Sequence, residues 1–480
     1  AGALAFHFFQ AQDFERALHY YTLAGDVAYR LFAVVEAVDF YNHAIDCAGK
    51  VDAVTSEQLV HLYTRRGRAY ELDNKFEEAL ANYQAMIELA REREDGALRL
   101  ASLTAQLIVR ATGTPLHDPP KAKALADEAL PLAQELGDRA TEARVLWGLL
   151  LWSIYGGGSP ELGLDYGRRS LAIAREIGDT EQIAYTLHNM AARLMGREQF
   201  EESQRVNLEA RAAWLELGNT PMLADSYIVT ASLQWFAGNF EAVISAAGEA
   251  LRISRSIGNK WIQSVAPFYT SLAFLEQGDV GRALEYLRQG LEIAEQEGIT
   301  FFKFAGTSNQ ILLYWSLGAL DRADPLVEKL YQDRDQMVFG FYTTGLTRAA
   351  RIKLALGDLA QAQKIQAESL QDLDKDSLPL WVMGEVTVTE ALLHLTLGQP
   401  EEALSEAQRL IEKTKRAGLK ANLTEARLVQ GKALAILDEL EEAANTLREA
   451  ARLAEEIGQR RLLWQILAAL AEVETRQGNA

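Results

Sequence analysis

The chain is nearly free of cysteine, and it lacks long apolar runs. Cys47 is the only thiol among 480 residues, so no internal disulfide is possible and no cysteine pair can hold a structural metal. No apolar stretch reaches the ~20 residues that a membrane-spanning helix needs, and no signal peptide is recognisable. We therefore expect a cytoplasmic protein without a membrane partner.

Basic residues are scarce relative to acidic ones. Lys and Arg total 48 whereas Asp and Glu total 67, which gives a formal net charge of −19. A surface of this sign repels phosphate backbones and anionic lipid, so we expect no direct nucleic-acid partner. A basic peptide or protein is the kind of partner that this surface accommodates more easily.

Motifs of catalysis and metal binding are also missing. The seven histidines include no His-Glu-x-x-His pair, and neither the Gly-x-Ser-x-Gly elbow nor the G-x-x-x-x-G-K-[ST] phosphate loop occurs. The segment YGGGSP at 155–160 lacks the basic residue of a phosphate loop, which favours a flexible turn. We predict no enzymatic activity, no metal and no cofactor.

Linkers rich in Ser, Gly or Pro are absent, and an internal repeat accounts for the length instead. FEEAL at 76–80 resembles FERAL at 14–18, VGRAL at 280–284 and PEEAL at 400–404. The small residue of each copy, here called the anchor, recurs about every 40 residues. The anchors are Ala79, Ala122, Gly163, Ser203, Val243, Ala283, Ala323, Ala362, Ala403 and Ala443, preceded by Ala17 and by Ala37 in a shortened unit.

Glycines mark two helix ends in each repeat. Gly137, Gly258 and Gly418 each follow an anchor by fifteen residues, and Gly238 and Gly398 each precede one by five. Glycine ends helices because it adopts positive φ without steric cost. Each repeat is therefore predicted to hold two helices of roughly 16–18 residues. The Asp or Asn that often follows the glycine is expected to cap the next helix, and Glu pairs in the first turn suit the helix dipole.

Small residues also recur twelve positions before the anchors, where they allow two helix backbones to approach closely. These residues are Gly67, Ala191, Ala231, Ser271, Ala350, Ala391 and Gly431. Together with the G-[DN]-[FVL]-x-x-A turn, this pattern resembles the tetratricopeptide repeat, although that repeat usually has 34 residues. HEAT repeats share the longer period but not the turn, and WD40 propellers need strands that are absent. The resemblance implies an all-α fold, a right-handed α-solenoid of about 12 helix pairs.

The lengthened repeat further resembles the sensor region of STAND-class signalling ATPases of the maltose-regulon transcription activator type. Residues 1–50 look like the junction where such arrays leave an upstream ATPase module, 51–458 like the regular array, and 459–480 like a capping or truncated-repeat helix. We expect an exposed apolar edge there at Leu462, Leu463 and Ile466. The implied function is a sensor for a peptide, protein or small-molecule inducer in signal transduction. The alternative is a stand-alone scaffold for protein–protein interaction.

Tetratricopeptide geometry implies that the first helix of each pair lines an open concave face, where a ligand binds. The concave positions counted back from each anchor select Trp152, Tyr155, Tyr185, His188, Trp235, Phe236, Phe268, Trp315 and Arg351. They also select Glu385, Glu425 and Lys432 in later repeats. Aromatic rings would form an apolar floor, with His188 and Arg351 as polar contacts. The alternative is that these rings are core residues between repeats.

Overall fold

The computed structural model describes residues 1–31, 33–155, 159–195, 199–332, 339–370 and 378–478. These residues form 24 α-helices and no strand, which confirms an all-α solenoid of about twelve helix pairs. The chain divides into unit 1, Ala1–Thr186, and unit 2, Leu187–Ala480. Residues 156–158, the centre of the glycine-rich segment, lie outside the described part of the chain.

Unit 1 contains the first nine helices and the start of the tenth, within which the division between the units falls. The helices are α1 (Gly2–Gln10), α2 (Phe14–Arg30), α3 (Val34–Ala48), α4 (Ser56–Leu72), α5 (Phe76–Glu92), α6 (Gly96–Ala111), α7 (Pro119–Leu136), α8 (Arg139–Ile154), α9 (Pro160–Ile177) and α10 (Thr180–Met195).

Unit 2 contains the rest of α10 and the remaining helices. They are α11 (Phe200–Glu216), α12 (Thr220–Ala237), α13 (Phe240–Ser256), α14 (Lys260–Glu276), α15 (Val280–Gln296), α16 (Thr300–Ser316), α17 (Leu320–Gln332), α18 (Phe339–Ala355), α19 (Leu359–Ser369), α20 (Leu380–Thr396), α21 (Pro400–Ala417), α22 (Lys420–Ile436), α23 (Leu440–Glu456) and α24 (Arg460–Arg476).

Helix ends follow the predicted glycine and capping pattern. Glycines in the turns adopt positive φ, as at Gly137, where φ is 68°. The Asp138 side chain then accepts a hydrogen bond from the Thr141 amide and caps α8. The same cap forms at Asp179, Asn219, Asn259, Asp279 and Asp358. The prediction that Asn239 caps the next helix is wrong. The Asn239 side-chain Nδ2 instead donates a hydrogen bond to Gln234 Oε1.

The anchors share one packing register. Alanine anchors such as Ala79, Ala283 and Ala443 are completely buried. The small residues twelve positions earlier also allow the predicted close approach. A Cβ added to Gly67 would lie 2.3 Å from the Tyr83 ring, and one added to Gly431 would lie 2.6 Å from Leu447. At both glycines, the absent side chain leaves room for a large side chain of the partner helix.

The even-numbered helices form a layer of their own. Each contacts the next even-numbered helix along the chain, from α4 to α8 in unit 1 and from α12 to α24 in unit 2. The odd-numbered helices contact mainly their chain neighbours. We use the term inner helices for these even-numbered helices. They are α4, α6 and α8 in unit 1, and α12, α14, α16, α18, α20, α22 and α24 in unit 2. Among the described residues, no helix is long and apolar enough to cross a membrane.

The last inner helix differs from the sequence expectation. Leu462 and Ile466 were expected at an apolar edge, but both are fully buried against α22 and α23, and Leu463 is half-buried. The exposed apolar side chains of α24 are instead Trp464 and Leu467. The physical reason is that Leu462 and Ile466 face the preceding pair, whereas Trp464 and Leu467 lie on the opposite side of the helix.

Candidate binding surface on the inner helices

Three of the predicted binding residues lie in unit 1, and each has a structural partner. The Trp152 indole Nε1 donates a hydrogen bond of 3.0 Å to the Pro119 carbonyl. Tyr155 contacts the His117 ring edge to face, with ring centroids 6.4 Å apart. Burial raises the pKa of the Tyr185 hydroxyl, an effect that the positive charge of Arg68 opposes.

His188 is buried at the start of unit 2 and is paired with a carboxylate. Its Nε2 lies 3.0 Å from Asp225 Oδ2 on α12, and the carboxylate is partly exposed. His188 Nδ1 is buried and has no hydrogen-bond partner among the described residues. One ring nitrogen is therefore held by a carboxylate, while the other is buried without a described partner.

Three predicted aromatic residues of unit 2 surround one apolar cluster. Trp235, Phe268 and Trp315 lie on the successive inner helices α12, α14 and α16. All three are half-buried and pack against the same group, which includes Leu272 and Leu312. Trp235 Nε1 is buried without a hydrogen-bond partner in the described chain. We call these three rings, which share one apolar cluster, the aromatic strip.

Phe236 lies beside the aromatic strip but is itself buried. Its ring contacts Trp235 edge to face, with centroids 4.8 Å apart, and approaches Trp381 at 6.3 Å. It packs in a separate cluster with Leu380 and Leu419. Phe236 therefore supports the position of Trp235.

Arg351 joins the aromatic strip to a group of buried charges. Its guanidinium carbon lies 5.3 Å from the centre of the Trp315 ring, a distance suited to a cation–π contact. Nη1 lies 3.0 Å from Glu425 Oε1 and Nη2 lies 3.0 Å from Glu385 Oε2. Nε donates to the Thr389 hydroxyl at 2.7 Å. Only 2% of the Arg351 side chain is exposed, so neighbouring residues fix its position.

Arg348, which lies one turn earlier on α18, holds the other side of Glu385. Its Nη2 donates to Glu385 Oε1 at 2.8 Å and its Nη1 to Asn309 Oδ1 at 2.7 Å. Burial raises the pKa of Glu385, but Arg348 and Arg351 outweigh it and lower that pKa to about 2. We call Arg348, Arg351, Glu385 and Glu425 the charge cluster. It connects α18, α20 and α22.

A second set of polar contacts joins inner helices that are far apart in sequence. Glu276 at the end of α14 accepts from Arg461 Nε at 2.9 Å and from Gln459 Nε2 at 3.0 Å. Beside it, α12 contacts α22, and Ile457 and Ala421 pack against α12 to α14. We call this junction of α12 and α14 with α22 and α24 the seam. The expectation of an open inner face is therefore wrong for unit 2, because the repeats curve until distant inner helices touch.

Sequence reasoning selected part of this surface and missed the rest. It placed Arg351, Glu385 and Glu425 on one face, and the structure brings these three together. It missed Arg348 and Asn309. Both lie fourteen residues before an anchor, which is not one of the concave positions implied by tetratricopeptide geometry. It also missed Arg461 and Gln459, because the seam joins residues more than 180 positions apart.

The arrangement suits binding by shape and fixed charge. Among the described residues, no group of His, Cys, Asp and Glu is arranged to hold a metal ion. The partly exposed groups here are the three rings of the aromatic strip, whereas the guanidinium groups and carboxylates of the charge cluster are buried in their own ion pairs.

Comparison with protein families supports the repeat assignment. The family model described as Tetratricopeptide repeat matches residues 60–93, which fall on α4 and α5. A search of curated proteins gives no significant match.

Solved structures with the same kind of fold cover most of the chain. The APC/C hetero-tetramer Cut9–Hcn1 is 14% identical with a TM-score of 0.54, over 99% of this chain and 90% of that one. A Rap protein complexed with competence and sporulation factor is 12% identical with a TM-score of 0.52, over 84% and 98%. A STAND protein with a tetratricopeptide repeat sensor from Pyrococcus horikoshii is 14% identical over 69% and 52%, with a TM-score of only 0.42. At these identities the likeness shows the tetratricopeptide-type fold alone.

Proposed function

We propose that the chain is a binding module whose inner helices in unit 2 recognise a peptide or protein segment. The observation that supports this most is the aromatic strip, which is half-buried on three successive inner helices and ends at the fixed guanidinium of Arg351. Half-buried rings offer apolar contact area at little entropic cost. The net charge of −19 favours a basic partner.

The predicted residues divide into two roles under this proposal. Trp235, Phe268 and Trp315 contact the ligand directly, and Arg351 positions the Trp315 ring while remaining in its own ion pairs. The Rap protein of the comparison is complexed with competence and sporulation factor, which fits a ligand-binding role for this type of solenoid. Trp152, Tyr155, Tyr185, His188 and Phe236 stay predicted contacts of lower weight, because each has protein partners or is buried.

The test uses a phage-displayed library of random peptides panned on the full chain. An enriched peptide is synthesised with a fluorophore, and its affinity is measured by fluorescence polarisation. Trp315→Ala is expected to weaken binding by about tenfold or more, because a central aromatic contact contributes about 2 kcal/mol. Helical circular dichroism should stay at the wild-type level.

Trp464→Ala is the matched control, because Trp464 is an exposed indole on α24 away from the aromatic strip. It should leave the affinity unchanged. Undiminished affinity of the Trp315 variant, or an equal loss in both variants, would show that the aromatic strip is not the binding surface. Loss of helical signal in Trp315→Ala would instead identify the ring as core.

We further propose that this binding serves a sensor role in a STAND-type signalling ATPase. The support is the lengthened repeat and the junction-like segment 1–50. In such a protein, ligand binding shifts the packing of the array and so the state of an attached ATPase module. The alternative is a stand-alone scaffold that recruits a partner through the same surface.

Two observations separate the sensor from the scaffold. The gene sequence upstream of Ala1 should encode a phosphate-binding loop if the sensor role is correct. The full-length product should then hydrolyse ATP at a rate that changes when the enriched peptide is added. A full-length protein without that loop, or with an ATPase rate that ignores a bound peptide, supports the scaffold.

A further inference from the structure

The seam buries two opposite charges that lie far apart in the sequence of unit 2. Glu276 is 1% exposed and the Arg461 side chain 7% exposed, although the two residues are 185 positions apart in sequence. Gln459 supplies a second donor to the same carboxylate. The remaining charge near Arg461 comes from Glu425 and Glu385 of the charge cluster. One ion pair with its amide neighbour therefore provides the principal polar link across the seam.

The turns at the seam show that the contact is tight. Gly238 and Gly278 have φ values of 80° and 79°, as turn glycines elsewhere do. At these two positions, however, an added Cβ would also lie 3.0 Å from Ile457 and 3.1 Å from Arg460. At Gly258, which has the same kind of φ, an added Cβ would meet nothing within 4 Å. The backbone of the Gly238 and Gly278 turns is therefore in close contact with the side chains of Ile457 and Arg460.

The closed seam also leaves polar atoms unsatisfied. Arg461 Nη1 and Gln459 Oε1 are buried and have no hydrogen-bond partner among the described residues. A buried polar atom without a partner loses the hydrogen bonds that water would give it. Opening the seam would hydrate both atoms, while closing it regains the ion pair and the apolar contacts. These opposing contributions give the seam a physical basis for exchange between a closed and an open arrangement.

We propose that Glu276, Arg461 and Gln459 form a latch, and that unit 2 exchanges between this closed state and an open state with the latch broken. The closed state covers the charge cluster and one end of the aromatic strip, so it restrains partner binding. A partner that offers a basic side chain replaces Arg461 at Glu276 and holds the open state. The restraint on partner binding and the displacement of Arg461 by a partner rest on the proposed function, whereas the exchange between closed and open states does not.

Distances across the seam test the latch in the full chain without any ligand. Spin labels are placed at Ser245→Cys on α13 and Glu455→Cys on α23, both exposed, with the buried thiol removed by Cys47→Ala. Double electron–electron resonance should give a short main distance for the otherwise wild-type chain. Glu276→Gln removes the charge that holds Arg461, so a longer distance should become the main population.

Matched variants decide between a latch and a general loss of structure. Glu292→Gln breaks an exposed ion pair with Arg288 within α15, away from the seam, and should keep the short distance. Gly238→Leu should open the seam by steric contact, while Gly258→Leu imposes the same backbone strain without a contact. If Glu276→Gln loses helical signal, the glycine pair decides. A wild-type distance in every folded seam variant, or an equal shift in the controls, overturns the proposal.

Peptide affinity then tests the restraint separately. The peptide enriched on the wild-type chain should bind Glu276→Gln several-fold more tightly than it binds Glu292→Gln, which alters only an exposed pair on α15. Equal affinities would show that the latch does not restrain binding. If panning enriches no peptide, the proposed function fails, while the distance measurement still decides whether the latch exists.

Discussion

Arg351 shows how a buried charge is tolerated at the level of a single residue. Its three guanidinium nitrogens are all matched, by Thr389, Glu385 and Glu425, and the Trp315 ring covers the guanidinium. Without these partners, burial of the charge would cost several kcal/mol. The buried carboxylate of Glu385 is matched in the same way, because it lies between Arg348 and Arg351. The charge cluster is thus a unit in which each member depends on the others.

Glu385→Gln should be destabilising in a pH-dependent way. The pKa of Glu385 is lowered from 4.5 to about 2 in the folded chain, so its stabilisation is present above pH 4.5 and is lost as pH falls toward 2. We expect the variant to lose about 3 kcal/mol of unfolding free energy near neutral pH. In urea unfolding curves, the difference from wild type should stay constant from about pH 7 to about pH 5 and shrink as the pH falls below 4.5 toward about 3.

Glu292→Gln provides the comparison, because Glu292 pairs with Arg288 on the exposed surface of α15. Its effect should be within ~0.5 kcal/mol at every pH. If the unfolding free energies of Glu385→Gln and wild type differ by the same amount down to about pH 3, the two arginines do not lower the pKa of Glu385 as described.

The contacts of individual side chains were only partly predictable from sequence. The repeat frame placed Arg351, Glu385 and Glu425 on one face because helical periodicity fixes which side chains share a face. It could not assign Arg348 or Arg461, since their partners lie on other helices and depend on how successive pairs are tilted. Nor could it decide that Phe236 is buried while its neighbour Trp235 is half-buried.

At the scale of a helix, small residues at fixed positions set the packing. The anchors are buried in helix after helix because a larger side chain would separate the paired backbones. This part of the fold was predictable from sequence, since propensity, glycine stops and the small-residue columns all agree. The exceptions are local, as at Asn239, where the side chain bonds within its own turn instead of capping α13.

Ala362→Leu should overpack α19 and lower the unfolding free energy by about 1–3 kcal/mol. Ala362 is fully buried, whereas Ala360 in the same helix is exposed. Ala360→Leu should therefore change stability by less than about 0.5 kcal/mol. Urea unfolding followed by circular dichroism measures both, and equal effects of the two substitutions would contradict the predicted register.

At the scale of the whole molecule, each unit is a stack in which apolar surface is buried between neighbouring helix pairs. The seam adds contacts between distant pairs in unit 2, and these were not predictable because small angular steps accumulate over several repeats. The proposed function depends on ligands binding to the inner helices of unit 2. Exposed apolar residues of the odd-numbered helices, such as Leu208 and Leu215 on α11, provide the contrast.

Hydroxyl-radical footprinting of the full chain with the enriched peptide tests that claim most directly. Oxidation of Trp235, Phe268 and Trp315 should fall when the peptide is bound, because their half-exposed rings become covered. Oxidation of Leu208 and Leu215 should stay the same. Protection of Leu208 and Leu215, with the three rings unchanged, would place the ligand on the outer helices and contradict the account.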